Sequence, residues 1–259
     1  MMNKPGPQGD DFQDKVVLIT GGTRGIGKAL ALRLAGEGAR VAMNYLSRTD
    51  EAEKTLAELE SAGGQGMIVP GDVSTPESAE QIVAQAREQL GPIDMLVTAA
   101  GISIPGSADD MTWDRWKTTL NINLDGTFSM IYAVKDAMIE RGFGRIVTFS
   151  SIAGLREREN QVAYSSSKAA VIAMTRCMAQ AWAGSNLRVN CVCPGLTETE
   201  MAHTLSDEVH KVIIDATPIG RIGEPEEIAA VARFLLSEES SFMTGQTIVA
   251  SGGRVMLPG

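Results

Sequence analysis

The chain has 259 residues, 44% of them hydrophobic and 21% charged, with 32 acidic against 23 basic side chains and a net charge of -9. A polypeptide of this length buries about 75% of the surface its unfolded form exposes, so its core needs no metal or disulfide staple. The acidic balance speaks against nucleic acid and anionic membranes as partners, and no apolar run approaches the ~20 residues that cross a bilayer.

Residues Met1 to Asp14 are polar and rich in glycine and proline, without the basic start and apolar core of a secretory signal, and read as a flexible N-terminal tail. Val16–Thr20 is then a short apolar run of strand type, followed at once by a glycine-rich turn. Ile26, Ala29, Leu30 and Leu34 recur at helical spacing, and Gly36 and Gly38 close that helix. The alternation continues with a strand over Arg40–Tyr45, a helix over Thr49–Ala62 and a strand over Gln65–Pro70. A helix starts near Pro76, where proline suits a first turn, and carries Ile82, Val83, Ala86 and Leu90 on one face. Met95–Thr98 is a strand, Trp113–Arg141 one long helical region, Arg145–Phe149 a strand and Val162–Trp182 a helix. Leu187–Cys193 is the sixth strand, Glu224–Leu236 a helix and Thr247–Ala250 the last strand.

Strands alternating with helices imply a parallel sheet covered on both faces. With right-handed crossovers and a glycine turn after the first strand, the pattern is an α/β doubly wound Rossmann fold of seven parallel strands, one domain over residues 15–259. The long irregular connection 195–223 is expected to be a lid over the site. The odd, sparse set Cys177, Cys191 and Cys193 suits a reducing cytoplasm, and Cys191 and Cys193 read as small strand residues. His203 and His210 have no ligand-like cluster around them, so no metal site is expected.

The turn Thr20-Gly21-Gly22-Thr23-Arg24-Gly25-Ile26-Gly27 lets backbone come close to a ligand, and the helix it opens aims free N–H groups at a pyrophosphate. Gly21, Thr23, Arg24, Gly25, Ile26 and Gly27 are therefore candidate cofactor-binding residues. The second strand ends Asn44-Tyr45-Leu46-Ser47-Arg48, without the acid that commonly binds the ribose hydroxyls of NAD. Tyr45, Ser47 and Arg48 then border the adenosine end, and Arg24 and Arg48 can meet a 2′-phosphate, so the expected cofactor is NADP(H).

Tyr164 and Lys168 stand four residues apart on a helix and share a face, and Ser151 follows the end of the fifth strand, where ligands dock in such sheets. A phenol with a pKa of about 10 exchanges protons poorly at neutral pH. An ammonium beside it favours the phenolate, so Tyr164 can act as acid toward a carbonyl or as base toward an alcohol while the Ser151 hydroxyl holds the same oxygen.

From about Lys15 to Gly253 the chain resembles the short-chain dehydrogenase/reductase family, most closely the branch of 3-oxoacyl-acyl-carrier-protein reductases and related carbonyl reductases. The resemblance rests on the glycine turn, Gly71-Asp72-Val73, Ser150-Ser151-Ile152-Ala153-Gly154, Tyr164-Ser165-Ser166-Ser167-Lys168, Arg188-Val189-Asn190, Pro194-Gly195, and Gly245-Gln246 with Gly252-Gly253. It implies that Asn123 completes a catalytic set with Ser151, Tyr164 and Lys168, holding a water that links Lys168 to solvent. It implies that Asp72 and Val73 bind the adenine, and that Tyr164 and Lys168 also contact the cofactor. The segment from Pro194 and Gly195 through Leu196 and Thr197 to the hydroxyl of Thr199 would hold the nicotinamide amide. Two departures stand out. Thr98-Ala99-Ala100-Gly101 replaces the usual Asn-Asn-Ala-Gly, altering contacts expected of Ala99, Ala100 and Gly101, and Ala250-Ser251-Gly252-Gly253 replaces Val-Asp-Gly-Gly.

The function this implies is hydride transfer between NADP(H) and a ketone or secondary alcohol, with a 3-oxoacyl thioester as the best single substrate. Oxidation of a sugar, polyol or other small alcohol is the alternative. A non-catalytic dinucleotide sensor is remote, since a sensor needs no proton donor. Leu155-Arg156-Glu157-Arg158-Glu159-Asn160 would line the entrance, and any part turned inward would favour a polar substrate. Members that use a carrier protein tend to have basic residues on the two long interface helices, where this chain has Ser129 and Gln180. Pairing of those helices across two-fold axes would make a homo-tetramer.

Overall fold

The computed structural model describes residues 11–256. Seven strands, β1 (Val16–Thr20), β2 (Arg40–Tyr45), β3 (Gln65–Pro70), β4 (Met95–Thr98), β5 (Gly144–Phe149), β6 (Leu187–Pro194) and β7 (Thr247–Ala250), form one sheet in the order β3-β2-β1-β4-β5-β6-β7. Every neighbouring pair is parallel. The order reverses between β1 and β4, so the chain leaves these strands on opposite sides and opens a crevice beyond Thr20 and Thr98.

The strand period puts alternate residues of β1 on opposite faces. Val17 and Ile19 pack with Leu30 and Leu34 of α1 (Gly25–Gly36) and with Ile228, Ala232 and Leu235 on the other helix of that face, residues Pro225–Leu236. Val16 and Leu18 face Ile82 and Ala86 of the helix Pro76–Leu90, and Met130 and Val134 of the helix Gly126–Arg141. Burying each such aliphatic side chain contributes about 1.5–3 kcal/mol, so both faces are strongly anchored beneath the crevice. In chain order the remaining helices are α2 (Thr49–Ser61), α3 (Pro76–Leu90), α4 (Trp113–Leu120), α5 (Gly126–Arg141), α6 (Val162–Trp182), α7 (Glu200–His203), α8 (Asp207–Asp215) and α9 (Pro225–Leu236).

Three sequence expectations need correction. Residues 1–10 of the expected tail lie outside the described residues, but the segment after them is built into the fold. Phe12 is fully buried, with the Arg233 guanidinium 4.8 Å from its ring centroid, and the Asp11 carboxylate accepts the backbone N–H of Glu238. A lone aromatic among polar residues gives no periodic signal, which is why the segment read as tail. The long helical region is interrupted: α4 and α5 are joined by a π-helical turn, Asn121–Asp125. The connection 195–223 is not irregular throughout, because it holds α7 and α8. The Ser206 hydroxyl accepts the N–H of Val209 at the start of α8, but only Ile213 of that helix is buried, so the apolar stripe is too thin to read from sequence.

Candidate active site

The glycine turn is built for a close ligand. A side chain on Gly27 would stand 2.2 Å from the Gly21 carbonyl oxygen, and Gly21 itself has φ +62° with the Ala100 backbone 3.0 Å from where a Cβ would lie. Arg24 precedes α1 without capping it through its side chain, so the first-turn N–H groups of Gly25, Ile26 and Gly27 point free into the crevice. Thr23 is buried, and its carbonyl accepts the Thr55 hydroxyl at 3.0 Å, pinning the turn to α2. A cradle that a Cβ would fill, facing a helix N-terminus, fits a dinucleotide pyrophosphate.

Across the crevice, Thr98 has no hydrogen-bond partner for its buried hydroxyl. From β1, the Thr20 hydroxyl accepts the Ala100 N–H at 3.1 Å. Ala99, Ala100 and Gly101 thus run along the crevice floor with Gly101 tight against the Asn123 side chain. Asp72 accepts the N–H of Ser74, and Val73 is buried beside Gly126 at the end of β3. From β6 the chain turns at Gly195, whose N–H bonds to the Ala250 carbonyl, and the Thr197 hydroxyl donates back to the Gly195 carbonyl. Thr199 then packs its methyl against Gly25 of the glycine turn, so Leu196, Thr197 and Thr199 bridge β6 to the phosphate cradle.

At the β2 end Tyr45 is buried, while Ser47 and Arg48 are exposed. Arg24 and Arg48 do come together, but around a carboxylate: both donate to Glu200 Oε2 at the start of α7, Arg48 at 3.0 Å. Glu51 adds a second acid, 2.9 Å from Arg48. Sequence reasoning found the two arginines and missed Glu200, which lies 152 positions from Arg48 and on a helix of only four residues.

The catalytic candidates gather at the carboxyl ends of β4 and β5. The π turn swings Asn123 into the core, fully buried, where its side chain accepts the Ile102 N–H at 2.8 Å and donates to the Ile102 carbonyl at 2.9 Å and the Ser167 hydroxyl at 3.1 Å. Such turns recur at functional sites because they re-aim one side chain. Lys168 is buried on α6, and its ammonium donates to the Phe149 carbonyl at 2.9 Å, 5.8 Å from the Tyr164 ring centroid. A Cβ on Gly101 would stand 3.2 Å from Asn123 Oδ1 and 3.4 Å from Lys168 Nζ, so these three residues share one small space. The Ser151 hydroxyl accepts the Ala153 N–H at 3.1 Å, and the Ser150 hydroxyl clamps the Lys168 carbonyl at 2.7 Å.

Burial pulls the Lys168 ammonium down to about 8. The Tyr164 phenol is pushed up from its usual value, by burial first, with the Ser151 hydroxyl and the Arg158 charge pulling the other way. This reverses the expected lowering by Lys168. In this pocket the ammonium is committed to Phe149, and desolvation of a phenolate outweighs what charge is near.

A fold with a switch-point crevice, a glycine cradle and this serine, tyrosine and lysine arrangement is that of a nicotinamide-dependent oxidoreductase acting on alcohol and carbonyl groups. Residues 21–254 match the family model described as enoyl-(acyl carrier protein) reductase, and the chain belongs to the short-chain dehydrogenase/reductase family. It is 41% identical to an acetoacetyl-CoA reductase of Shinella zoogloeoides over 241 residues, 93% of this chain and 98% of the relative. A 3-oxoacyl-[acyl-carrier-protein] reductase of Thermotoga maritima is 38% identical over 245 residues, 95% of this chain and 99% of the relative. The crystal structure of gox2181 superposes with a TM-score of 0.91 at 36% identity, covering 94% of this chain and 96% of that one.

Proposed function

We propose that the protein is an NADP(H)-dependent reductase whose substrate is a 3-oxoacyl thioester. The convergence of Asn123 and Lys168 on Gly101, with Tyr164 and Ser151 beside them at the ends of β4 and β5, carries this reading. The relatives named for acetoacetyl-CoA and 3-oxoacyl-carrier-protein reduction support the substrate. The paired Arg24 and Arg48, with no acid from Asn44 to Arg48, support the phosphorylated cofactor.

The first-turn N–H groups of α1 would hold the pyrophosphate, Asp72 and Val73 the adenine, and Arg24, Tyr45, Ser47 and Arg48 the adenosine ribose and its phosphate. Pro194, Gly195, Leu196, Thr197 and Thr199 would hold the nicotinamide end. When bound, the cofactor supplies the hydride. The Ser151 hydroxyl would then orient the substrate carbonyl, and Tyr164, protonated at neutral pH, would donate its proton to the carbonyl oxygen. Lys168, as an ammonium, would hold the ribose hydroxyls of the nicotinamide half, and Asn123 would hold a water that links Lys168 to solvent. Residues 195–223 close over this crevice as its lid.

Phe128 and Tyr132 of α5 stack at 4.1 Å on the protein surface with Trp182 of α6 nearby, and this aromatic face supports pairing of α5 and α6 between subunits of a tetramer. Purified protein mixed with acetoacetyl-CoA should consume NADPH, followed by loss of the reduced-nicotinamide absorbance. Absence of turnover with every 3-oxoacyl thioester tried would refute the substrate.

A further inference from the structure

The chain carries far more acid than base, yet a knot of arginines beside Tyr164 meets no carboxylate among the described residues. Arg156 and Arg158 lie on the loop that follows β5, and burial alternates along it. Both arginines are half-buried while Glu157 and Glu159 are exposed, so the acids face solvent and the bases face inward. Arg254 arrives from the other side, after β7, where its guanidinium donates to the Ile213 carbonyl of α8 at 2.6 Å. Arg158 makes only a long contact to Gln161 Oε1, at 3.5 Å, and Gln161 in turn donates to the Ser103 hydroxyl. The Nε of Arg156 is buried with no partner at all. The ion pairs of the described residues are made elsewhere, among them those at Glu200, Glu238, Glu227 and Glu37.

Arg158 is lowered from its usual value by burial and then by Arg156, and Arg254 by burial, Arg156 and Arg158. Gln161, the acceptor of the Arg158 contact, is the residue that opens α6, three positions before Tyr164, so Arg158 stands at the end of α6 that carries the candidate proton donor. Half-buried like charges with unfilled donors are costly unless an anion completes them. A guanidinium presents a planar fork that matches a carboxylate or phosphate.

We propose that Arg156, Arg158 and Arg254 form an oxyanion subsite that holds a carboxylate or phosphate carried by the ketone substrate. It makes the substrate an anion that these guanidinium groups grip. The proposal rests on the reading of Tyr164 as proton donor for its effect on turnover, though not for anion binding itself.

The test uses the whole protein with NADPH and two matched pairs of ketones. One pair is acetoacetate and its neutral ethyl ester; the other is acetoacetyl-CoA and acetoacetyl-N-acetylcysteamine, which keeps the thioester and lacks phosphate. Arg158→Gln and Arg254→Gln should each raise KM for a charged member by roughly tenfold or more, the loss of a charge-assisted hydrogen bond, with kcat little changed. The neutral partner should shift by less than about twofold. A loss with acetoacetate assigns a carboxylate, and a loss confined to the coenzyme A thioester assigns a phosphate. Equal losses on charged and neutral ketones, or no loss in either pair, overturn the subsite. If the wild-type protein turns over none of the four, the proposed function fails instead. Calorimetric titration of acetoacetate and of coenzyme A into wild type and both variants then decides the subsite: binding weakened in the variants supports it, and binding unchanged or absent throughout overturns it.

Discussion

Lys168 does not reach for Tyr164: its ammonium donates to the Phe149 carbonyl at 2.9 Å and stands 5.8 Å from the tyrosine ring centroid. The lysine is therefore held from β5, while the phenol keeps its proton. In the reductive direction that is an advantage, since Tyr164 must begin each cycle protonated.

It follows that Lys168, not Tyr164, should set the alkaline limit. With its pKa lowered to about 8, the ammonium is present below that pH and lost above it. Reductive kcat/KM should be level up to about pH 8 and then fall with loss of one proton. Lys168→Arg, which stays charged, should retain part of the activity and move the fall to higher pH. A fall that stays in place in the variant would assign it to another group.

The same burial has a stability consequence. The folded pKa lies below the unfolded 10.5, so between about pH 8 and 10.5 the unfolded chain binds more protons and stability rises with pH. Near pH 7 the buried charge costs on the order of 3 kcal/mol, offset in part by the bond to Phe149. Lys168→Met should be inactive yet neutral to stabilising in urea melts at pH 7. Marked destabilisation would show that the hydrogen bond outweighs the desolvation.

The strands, the parallel doubly wound fold and the glycine turn were legible because the strands are short apolar runs and the crossovers have a helical period. The candidate residues Ser151, Tyr164 and Lys168 stood out in the sequence by their spacing and their place after a strand. What escaped was set by tertiary contact. The π turn at Asn123 exists because its side chain finds both backbone groups of Ile102, a partner 21 residues away. Glu200 meets Arg24 across 176 residues. The raised Tyr164 pKa reflects how tightly the pocket closes, which spacing alone does not encode.

Glu200 bears directly on cofactor choice. Its carboxylate accepts from both Arg24 and Arg48, so it would compete with a 2′-phosphate for these two arginines and leave NADH binding untouched. NADPH should be preferred over NADH by about tenfold or more, as a charged hydrogen bond is worth ~1.5–3 kcal/mol. Arg24→Ala should erode that preference with NADH rates nearly unchanged, and Glu200→Gln should tighten NADPH alone. Both are read from fluorescence titration of each cofactor. Equal affinities in the wild type would contradict the assignment of the arginines.

The aromatic face on α5 predicts assembly. Phe128 and Tyr132 are 41% and 45% exposed, a large apolar surface to leave in water. Light scattering at micromolar concentration should give a tetramer mass, and Phe128→Glu with Tyr132→Glu should lower it. A monomer in the wild type would refute the pairing.

The last prediction concerns the proton donor itself. Tyr164→Phe removes one oxygen from a half-buried ring and leaves Lys168, Ser151 and Asn123 with every hydrogen bond described above. Fold and cofactor binding should therefore survive. Turnover should drop by the ~10²–10⁴-fold typical of a positioned acid. Lys168→Ala should differ in kind, weakening cofactor affinity together with turnover, while Ser151→Ala should lower turnover with cofactor affinity kept. In the Arg158→Gln variant the phenol loses a charge that holds its pKa down, so the pH at which alcohol oxidation turns on should move upward. Stopped-flow rates with a good ketone and cofactor titrations of each variant separate these effects. If Tyr164→Phe keeps more than about a tenth of the wild-type rate, Tyr164 is not the donor, since loss of a true donor costs more than that.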